Sequence, residues 1–385
     1  MAKEHLYEQI ADEIRTGIIQ NKYIPGQQLP SELVLAKNYS VSRITSRKAI
    51  DLLVEQNLVR RARGSGTFVV DTLPSVALNN SRDPLISFIL PFDNSSGTLI
   101  ELIDALSEDL SKQGFFVSIH NSHWDYSKER ELLLNILDSN VDGLVLFPIS
   151  SRRNLDVICQ LSVSTLPFVV LDTCYDNLSV NCVSSNNIAG AEEVTKYMIK
   201  QGHKKMAFIS YDYLDFNTTL RDRYLGFCKA HRELNIPLNP ENNFIGFRDK
   251  LADDQPQFKT HLSLGKGNEV YRKELVRILY QILQSGITAV LAEHDTLALD
   301  LMLAAKENSI KIPEAISIAG FDDIPILSRL GISLTTVHQD FKAIALEASS
   351  ILVRIIRTRK RPIPYFRILD THLVERDSVS TLSQG

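Results

Sequence analysis

No apolar run in this chain approaches the roughly 20 residues that a helix needs to cross a bilayer. The opening MAKEHLYEQIADEIR is amphipathic and has no apolar stretch of the kind a secretory signal carries. Neither a membrane partner nor export is expected, which leaves the cytoplasm. Cysteine is scarce, and Cys159, Cys174, Cys182 and Cys228 form no CxxC pair and have no cluster of histidines nearby. A zinc site or disulfide framework thus has little support, and buried free thiols are the expectation. There is no Walker-type phosphate loop, and Gly265-Lys266-Gly267 lacks the preceding strand that would make it one. No lysine sits in a Schiff-base context and no apolar run ends in a serine paired with a histidine, so no catalytic residue, metal or cofactor is assigned. Net positive charge is missing too: the chain carries −4 over 385 residues, which by itself argues against a nucleic-acid partner.

The distribution of that charge argues the other way. Residues 1–75 hold ten Lys and Arg against eight Asp and Glu, a net of +2, so the remainder carries −6. Six of the ten bases fall between Arg43 and Arg63, the local density that neutralises phosphates. With 44% hydrophobic and 23% charged residues the composition is globular, and the length exceeds one ordinary core, so two or three domains are expected.

Leu6, Ile10, Ile14 and Ile18 recur at helical spacing and predict an amphipathic helix over 4–20, ended by the Pro25-Gly26 turn. Ser31 is placed to cap a short second helix, Glu32 to Asn38, and Ser42 a third that begins at Arg43. Helix, turn, helix puts the N-terminal end of the later helix into a major groove, and Arg43, Thr45, Ser46 and Arg47 occupy that end. Arginine can bridge guanine O6 and N7 there, while hydroxyls and the helix N-terminus suit phosphates. LVRRARGSGTFVV then reads as two strands joined by a tight turn through Arg63-Gly64-Ser65-Gly66. PGQQLPSELVLA, VSRITSRKAIDLLVEQNLV and RARGSGTFV resemble the GntR-type winged-helix family, nearly without gaps. The resemblance implies a winged helix-turn-helix domain over 1–70, binding double-stranded operator DNA through Arg43, Thr45, Ser46, Arg47, Arg63 and Gly64. One departure stands out: many relatives carry Arg where this chain has Leu33. A contact is then lost, or another base such as Lys37 supplies it.

Residues 71–84, DTLPSVALNNSRDP, show no helical period and read as a linker that spans up to about 45 Å if extended. From Leu85 onward short apolar runs (LISFIL, FFVSI, GLVLF, PFVVL, MAFIS, AVLA, SIAGF) alternate with helical segments at 98–113, 128–139, 188–200, 220–233, 270–285, 296–308 and 340–357. That alternation predicts a parallel sheet covered on both faces, with ligands bound beyond the carboxyl ends of the strands. The residues there are Pro91-Phe92-Asp93, Asp172-Thr173, His294-Asp295 and Phe321-Asp322-Asp323. Each of these four places carries a carboxylate, which suits the hydroxyls of a polyol. Asp295 and Asp323 serve equally well as helix caps, and Trp124 either stacks on ligand or packs against the sheet. Gly202-His203 reads as a helix end followed by a surface residue.

VDGLVLFP, PFVVLD, RDRYLGF, AEHDTLALDLM, IPEAISIAGFDD, LTTVHQDF and LVERDS resemble the effector domain of LacI/GalR-type regulators. The resemblance implies a two-lobed, periplasmic-binding-protein-like α/β domain with parallel sheets over 85–378, followed by a tail at 379–385. It implies a sugar effector held by Arg223 and Asp322, with Asp172, Phe247, Phe92 and Asp93 lining the same cleft and His294 where relatives usually have Asn. Joined to a GntR-type winged helix, the domain resembles the repressors of arabinose use in Gram-positive bacteria, and a homodimer is implied by a two-fold symmetric operator. The loop at 248–268 has no assigned role. A fused enzyme and a receptor without DNA binding are the competing classes; the absent nucleophile weighs against the first and the absent signal against the second.

Overall fold

The computed structural model describes residues 6–19, 22–55, 58–62, 66–70, 83–91, 98–176, 178–248, 251, 269–358 and 364–382. The chain divides into two compact units, Met1–Asp83 and Pro84–Gly385.

In the first unit, α1 (Leu6–Ile19), α2 (Glu32–Asn38) and α3 (Arg43–Glu55) precede an antiparallel pair, β1 (Val59–Ala62) and β2 (Gly66–Val69). The helical stripe behaves as the spacing requires: Ile10, Ile14 and Ile18 are buried against Leu35, Ile50 and Leu53 of the two later helices and against Val59 and Val69 of the hairpin. Leu6, the first member of the stripe, stays exposed. Ser31 caps α2 by accepting the Val34 N–H at 3.3 Å, and Ser42 accepts the Thr45 N–H at 3.1 Å to start α3.

The second unit contains two parallel sheets. The six-stranded one runs β13-β7-β6-β5-β3-β4, built from β3 (Leu85–Leu90), β4 (Phe116–Asn121), β5 (Gly143–Leu146), β6 (Phe168–Leu171), β7 (Asn181–Ser185) and β13 (Phe366–Leu369). Every residue of β5 and β6 is buried, as expected for strands covered on both faces by α4 (Thr98–Lys112), α5 (Tyr126–Leu137), α6 (Leu155–Val163) and α12 (Phe341–Thr358). The four-stranded sheet runs β11-β10-β8-β9, with β8 (Met206–Ser210), β9 (Phe244–Ile245), β10 (Ala289–Ala292) and β11 (Ser317–Ala319). Its faces are covered by α7 (Asn187–Lys200), α8 (Thr218–Glu233), α9 (Glu269–Gln284), α10 (Asp295–Glu307) and α11 (Pro325–Leu330). A Cβ at Gly226 on α8 would collide with the Ile188 carbonyl of α7, so the closest approach of these two helices requires glycine. A short antiparallel pair, β12 (Thr336–His338) and β14 (His372–Val374), lies where the chain passes between the sheets.

Several expectations need correction. Cys174 and Cys182 form a disulfide with Cα atoms 5.9 Å apart, and of the four cysteines only Cys159 and Cys228 are free. Sequence spacing misses the pair because Cys174 follows β6 and Cys182 lies in β7, adjacent strands of one sheet. His203 is fully buried, its ring nitrogens 3.0 Å from the Thr288 hydroxyl and the Ser380 carbonyl. Residues expected to form a tail are part of the fold: Val379 packs in the core, and Leu382 donates its N–H to the Gln201 carbonyl at 2.7 Å. Most of the linker (71–82) and of the 248–268 loop lies outside the described residues.

Candidate functional site

Two places merit attention. The first is the end of α3 in the amino-terminal unit. Arg43 and Arg47 are exposed one turn apart and both reach Glu32 at the start of α2, at 3.7 and 3.2 Å. Arg61 of β1 reaches the same carboxylate at 3.2 Å and also pairs with Asp51 at 2.6 Å. One carboxylate thus orients three guanidinium groups from two elements, α3 and β1. Exposed pairs of this kind contribute only about 0–1 kcal/mol, so each arginine is readily surrendered to a phosphate or base. Thr45 is half-buried with its hydroxyl 2.8 Å from that of Ser42. Ser46 departs from expectation: it is fully buried and donates to the Glu32 and Arg43 carbonyls, locking α2 to α3. Counting four residues along the helix turns Ser46 inward, beside Ala49 and Ile50, so it makes no outward contact. Arg63 and Gly64 lie outside the described residues.

The second place is a cavity of about 160 Å³ between the two parallel sheets. Strands of both sheets end at it. Asp212 follows β8, Arg248 follows β9, Glu293 and His294 follow β10, and Asp322 follows β11; from the other lobe come Pro91, Trp124, Ile149 and Asp172. Asp172, Arg223, His294 and Asp322 are therefore brought together. Phe92 and Asp93 fall outside the described residues. Phe247 is corrected: at 2% exposure it belongs to the apolar core, its ring 5.1 Å from that of Tyr211, and its neighbour Arg248 is the one that faces the cavity.

Arg223 is held from three sides. Its guanidinium donates to Asn187 Oδ1 (2.9 Å), the Glu293 carbonyl (2.5 Å) and Asp322 Oδ1 (3.1 Å), and lies 4.0 Å from the centre of the Phe321 ring. Gln339 donates from Nε2 to the same Asp322 oxygen at 2.7 Å, while its Oε1 is buried with no partner among the described residues. Such an acceptor is costly to leave unmet. His294 accepts the Leu297 N–H on Nδ1 at 3.0 Å and so caps α10, the role an Asn at this position would fill. The remaining ring nitrogen must then carry the proton, and it stands 3.6 Å from Glu293 Oε1.

Carboxylates dominate the electrostatics. Burial pushes Asp172 up to about 6 and Glu293 up to about 8, the latter helped by repulsion from Asp212. Burial likewise raises Asp322, although Arg223 opposes it. Asp172 and Asp322 adopt positive φ, 63° and 119°, a costly conformation that the surrounding bonds hold at the cleft. Asp295 and Asp323 are neither caps nor lining: Asp295 accepts from the Thr336 hydroxyl and the Ile324 N–H, and Asp323 binds Arg376 at 2.6 Å and His338 at 3.1 Å. Trp124 lines the cavity. Sequence reasoning missed Asp212, Arg248, Glu293 and Gln339. Glu293 immediately follows an apolar run and Asp212 lies one residue beyond another, which was the available signal.

Known proteins resemble both units of the chain. Residues 6–69 match the bacterial regulatory proteins of the gntR family, 84–249 the periplasmic binding proteins and sugar binding domain of the LacI family, and 195–379 a periplasmic binding protein-like domain. An arabinose metabolism transcriptional repressor of Halalkalibacterium halodurans is 25% identical over 93% of this chain and 91% of its own. The HTH-type transcriptional repressor PurR of Histophilus somni is 30% identical over 73% of this chain and 78% of its own. The fold of transcription regulator CcpA of Lactococcus lactis superposes with a TM-score of 0.64 at 22% identity, covering 77% of this chain and all of that one.

Proposed function

The chain belongs to the bacterial transcriptional regulators, joining a gntR-family domain to a LacI-type, periplasmic-binding-protein-like domain, and from that premise we propose that it is a cytoplasmic repressor of sugar-use genes released by a pentose. Arg43, Thr45 and Arg47, with Arg63 and Gly64 of the hairpin turn, take the operator. Asp172, Arg223, His294 and Asp322, joined by Glu293 and Gln339, take the effector, with Phe92 and Asp93 beside them. Arabinose is the favoured pentose because a curated relative that matches along nearly the whole chain is named for it.

One observation carries the choice of ligand class. The cavity presents four carboxyl groups (Asp172, Asp212, Glu293, Asp322), of which Glu293 keeps its proton near neutral pH, against two arginines, and both arginines are engaged within the chain: Arg223 by Asp322 and Arg248 by Asp212 at 3.0 Å. Acceptors in excess suit a neutral polyol, whose hydroxyls donate; a sugar phosphate would meet like charge. A winged helix of this size reads few base pairs, so two copies on a two-fold operator are required. The surface for that dimer is edge strand β4 with α4, where Phe116, Ile119 and Ile100 are exposed.

The test is a titration of full-length protein against its operator at one fixed salt concentration, with arabinose, ribose, xylose or their phosphates added. Arabinose is expected to release the operator and, at 100 times its Kd, to stabilise the protein by about 2.7 kcal/mol in the absence of DNA. Release by a phosphorylated sugar alone would overturn the assignment.

A further inference from the structure

Ile44 is 72% exposed, more than any other large apolar side chain among the described residues of the amino-terminal unit. A lone exposed isoleucine is ordinary on a protein surface. This one occupies the first turn of α3 between Arg43 and Thr45, beside the cluster in which Arg43, Arg47 and Arg61 converge on Glu32. An apolar group set among cations is matched by a ligand that is anionic at its rim and apolar at one point within. Duplex DNA has that form: phosphates border the major groove, and the C5-methyl of thymine is the one apolar group on its floor. The N-terminal residues of the second helix of such a motif are those that reach base edges.

We propose that Ile44 reads sequence by packing its side chain on a thymine methyl in each half-site, next to the base contacted by Arg43 or Arg47. The inference rests on the DNA-binding reading above and adds a chemical identity at one base pair. Ile44 suits the task because a β-branched side chain in a helix is confined almost to one rotamer, so little freedom is lost when it docks. Leu33, 65% exposed at the second position of α2, is the internal comparison: equally apolar, next to the same Glu32, but on the helix that precedes the reading one. Burying one methyl contributes about 0.8 kcal/mol, so removing it should weaken binding roughly fourfold per half-site.

The experiment takes duplexes selected from a random-sequence pool by the full-length protein and replaces each thymine in turn by deoxyuridine, which deletes only the methyl. Wild type should lose about fourfold in affinity at one thymine per half-site and little elsewhere. Ile44→Ala, which loses the contact in both half-sites, should bind the unmodified duplex about sixteenfold less tightly than wild type, as weakly as wild type binds a duplex with deoxyuridine at that position in both half-sites, and should show no further loss on it. Leu33→Ala should keep the wild-type sensitivity. Wild type that binds but is indifferent to every methyl overturns the proposal and leaves DNA binding intact. So does sensitivity that survives in Ile44→Ala or disappears in Leu33→Ala. Failure to select any duplex overturns the DNA-binding reading and this proposal with it.

Discussion

Replacing Glu293 by Gln is expected to stabilise the protein increasingly as pH rises. Glu293 is 7% exposed at the carboxyl end of β10, and its Oε1 accepts the Tyr211 N–H at 2.8 Å. Burial first, and Asp212 second, oppose its ionisation and push it up to about 8, whereas in the unfolded chain it titrates at 4.5. The folded pKa is thus the higher one. The folded state keeps the proton longer, so the contribution that favours folding is whole below about pH 4.5 and is lost as pH climbs through about 8. At 1.36 kcal/mol for each pH unit between the two values, the loss is about 5 kcal/mol at most, and about half that if water reaches the ionised group. Glutamine keeps the acceptor for the Tyr211 N–H and cannot ionise. Asp172, near 6, and Glu129, pushed up to about 7 where it accepts the Ile149 N–H, titrate in both proteins and cancel in the difference. Thermal scans from about pH 5 to about pH 9 should show the two proteins close together at the acid end and the variant several degrees more stable at the other. A gap that does not change with pH would refute the placement of a protonated Glu293 in the cleft.

Two further substitutions probe the two places separately. Arg47→Ala removes one of the three guanidinium groups gathered by Glu32 and should weaken operator binding by roughly 1–3 kcal/mol in a gel-shift titration without unfolding the protein; unchanged affinity would remove α3 from the interface. Asp322→Ala leaves Arg223 and Gln339 without their shared acceptor and should abolish the effector response while operator affinity stays at the wild-type value; a variant that still releases DNA at ordinary sugar concentrations would show that the cavity is not the effector site.

The parts of the fold that the sequence made legible are those in which one local rule decides the outcome. Apolar runs such as GLVL and FVVL could only be buried strands, and the caps at Ser31 and Ser42 fixed two helix starts to the residue. The strand β7, NCVSS, escaped because a central position between β6 and β13 is filled there by Ser184 and Ser185, which are buried in the sheet despite their polarity. The edge strand β13 escaped for the opposite reason, since Phe366 and Ile368 are apolar yet face outward. In the cleft, Arg223 and Asp322 were recognisable from their motifs, whereas Phe247 and Arg248 differ only in which way one residue of a loop turns, a choice made by the Tyr211 and Tyr271 rings packed on Phe247. Ser46 was misplaced because a serine in the first turn of a reading helix can face DNA or the preceding helix, and only the Glu32 carbonyl 2.8 Å away decides.

The distribution of acids between the lobes bears on how the cleft responds to its ligand. Asp172 belongs to the lobe of the six-stranded sheet, and Asp322, Arg223 and Glu293 to the other. In the described arrangement the lobes are joined at the cleft mouth: Ser150 donates to the Phe216 carbonyl at 2.6 Å, Thr218 exchanges hydrogen bonds with the backbone of Cys174, and Arg152 and Arg221 pair with Asp215 and Asp176 across the gap. Those contacts favour closure. Burial raises the pKa of Asp172, and attraction to Arg223 outweighs repulsion from Asp322, so the cost of closure at Asp172 is chiefly the loss of water from its carboxylate. A ligand whose hydroxyls donate to both acids would replace that water in the closed state alone, and its differential affinity for the two states is what would shift the equilibrium. Binding that adds 1–3 kcal/mol of such preference changes the closed-to-open ratio by about 5–150-fold. A polyol gripped only by the second lobe, however tightly, would leave that ratio unchanged. On the proposed polyol reading Asp172 would then have a different part from Asp322: the second would hold the ligand against its lobe, and the first would make holding it depend on closure.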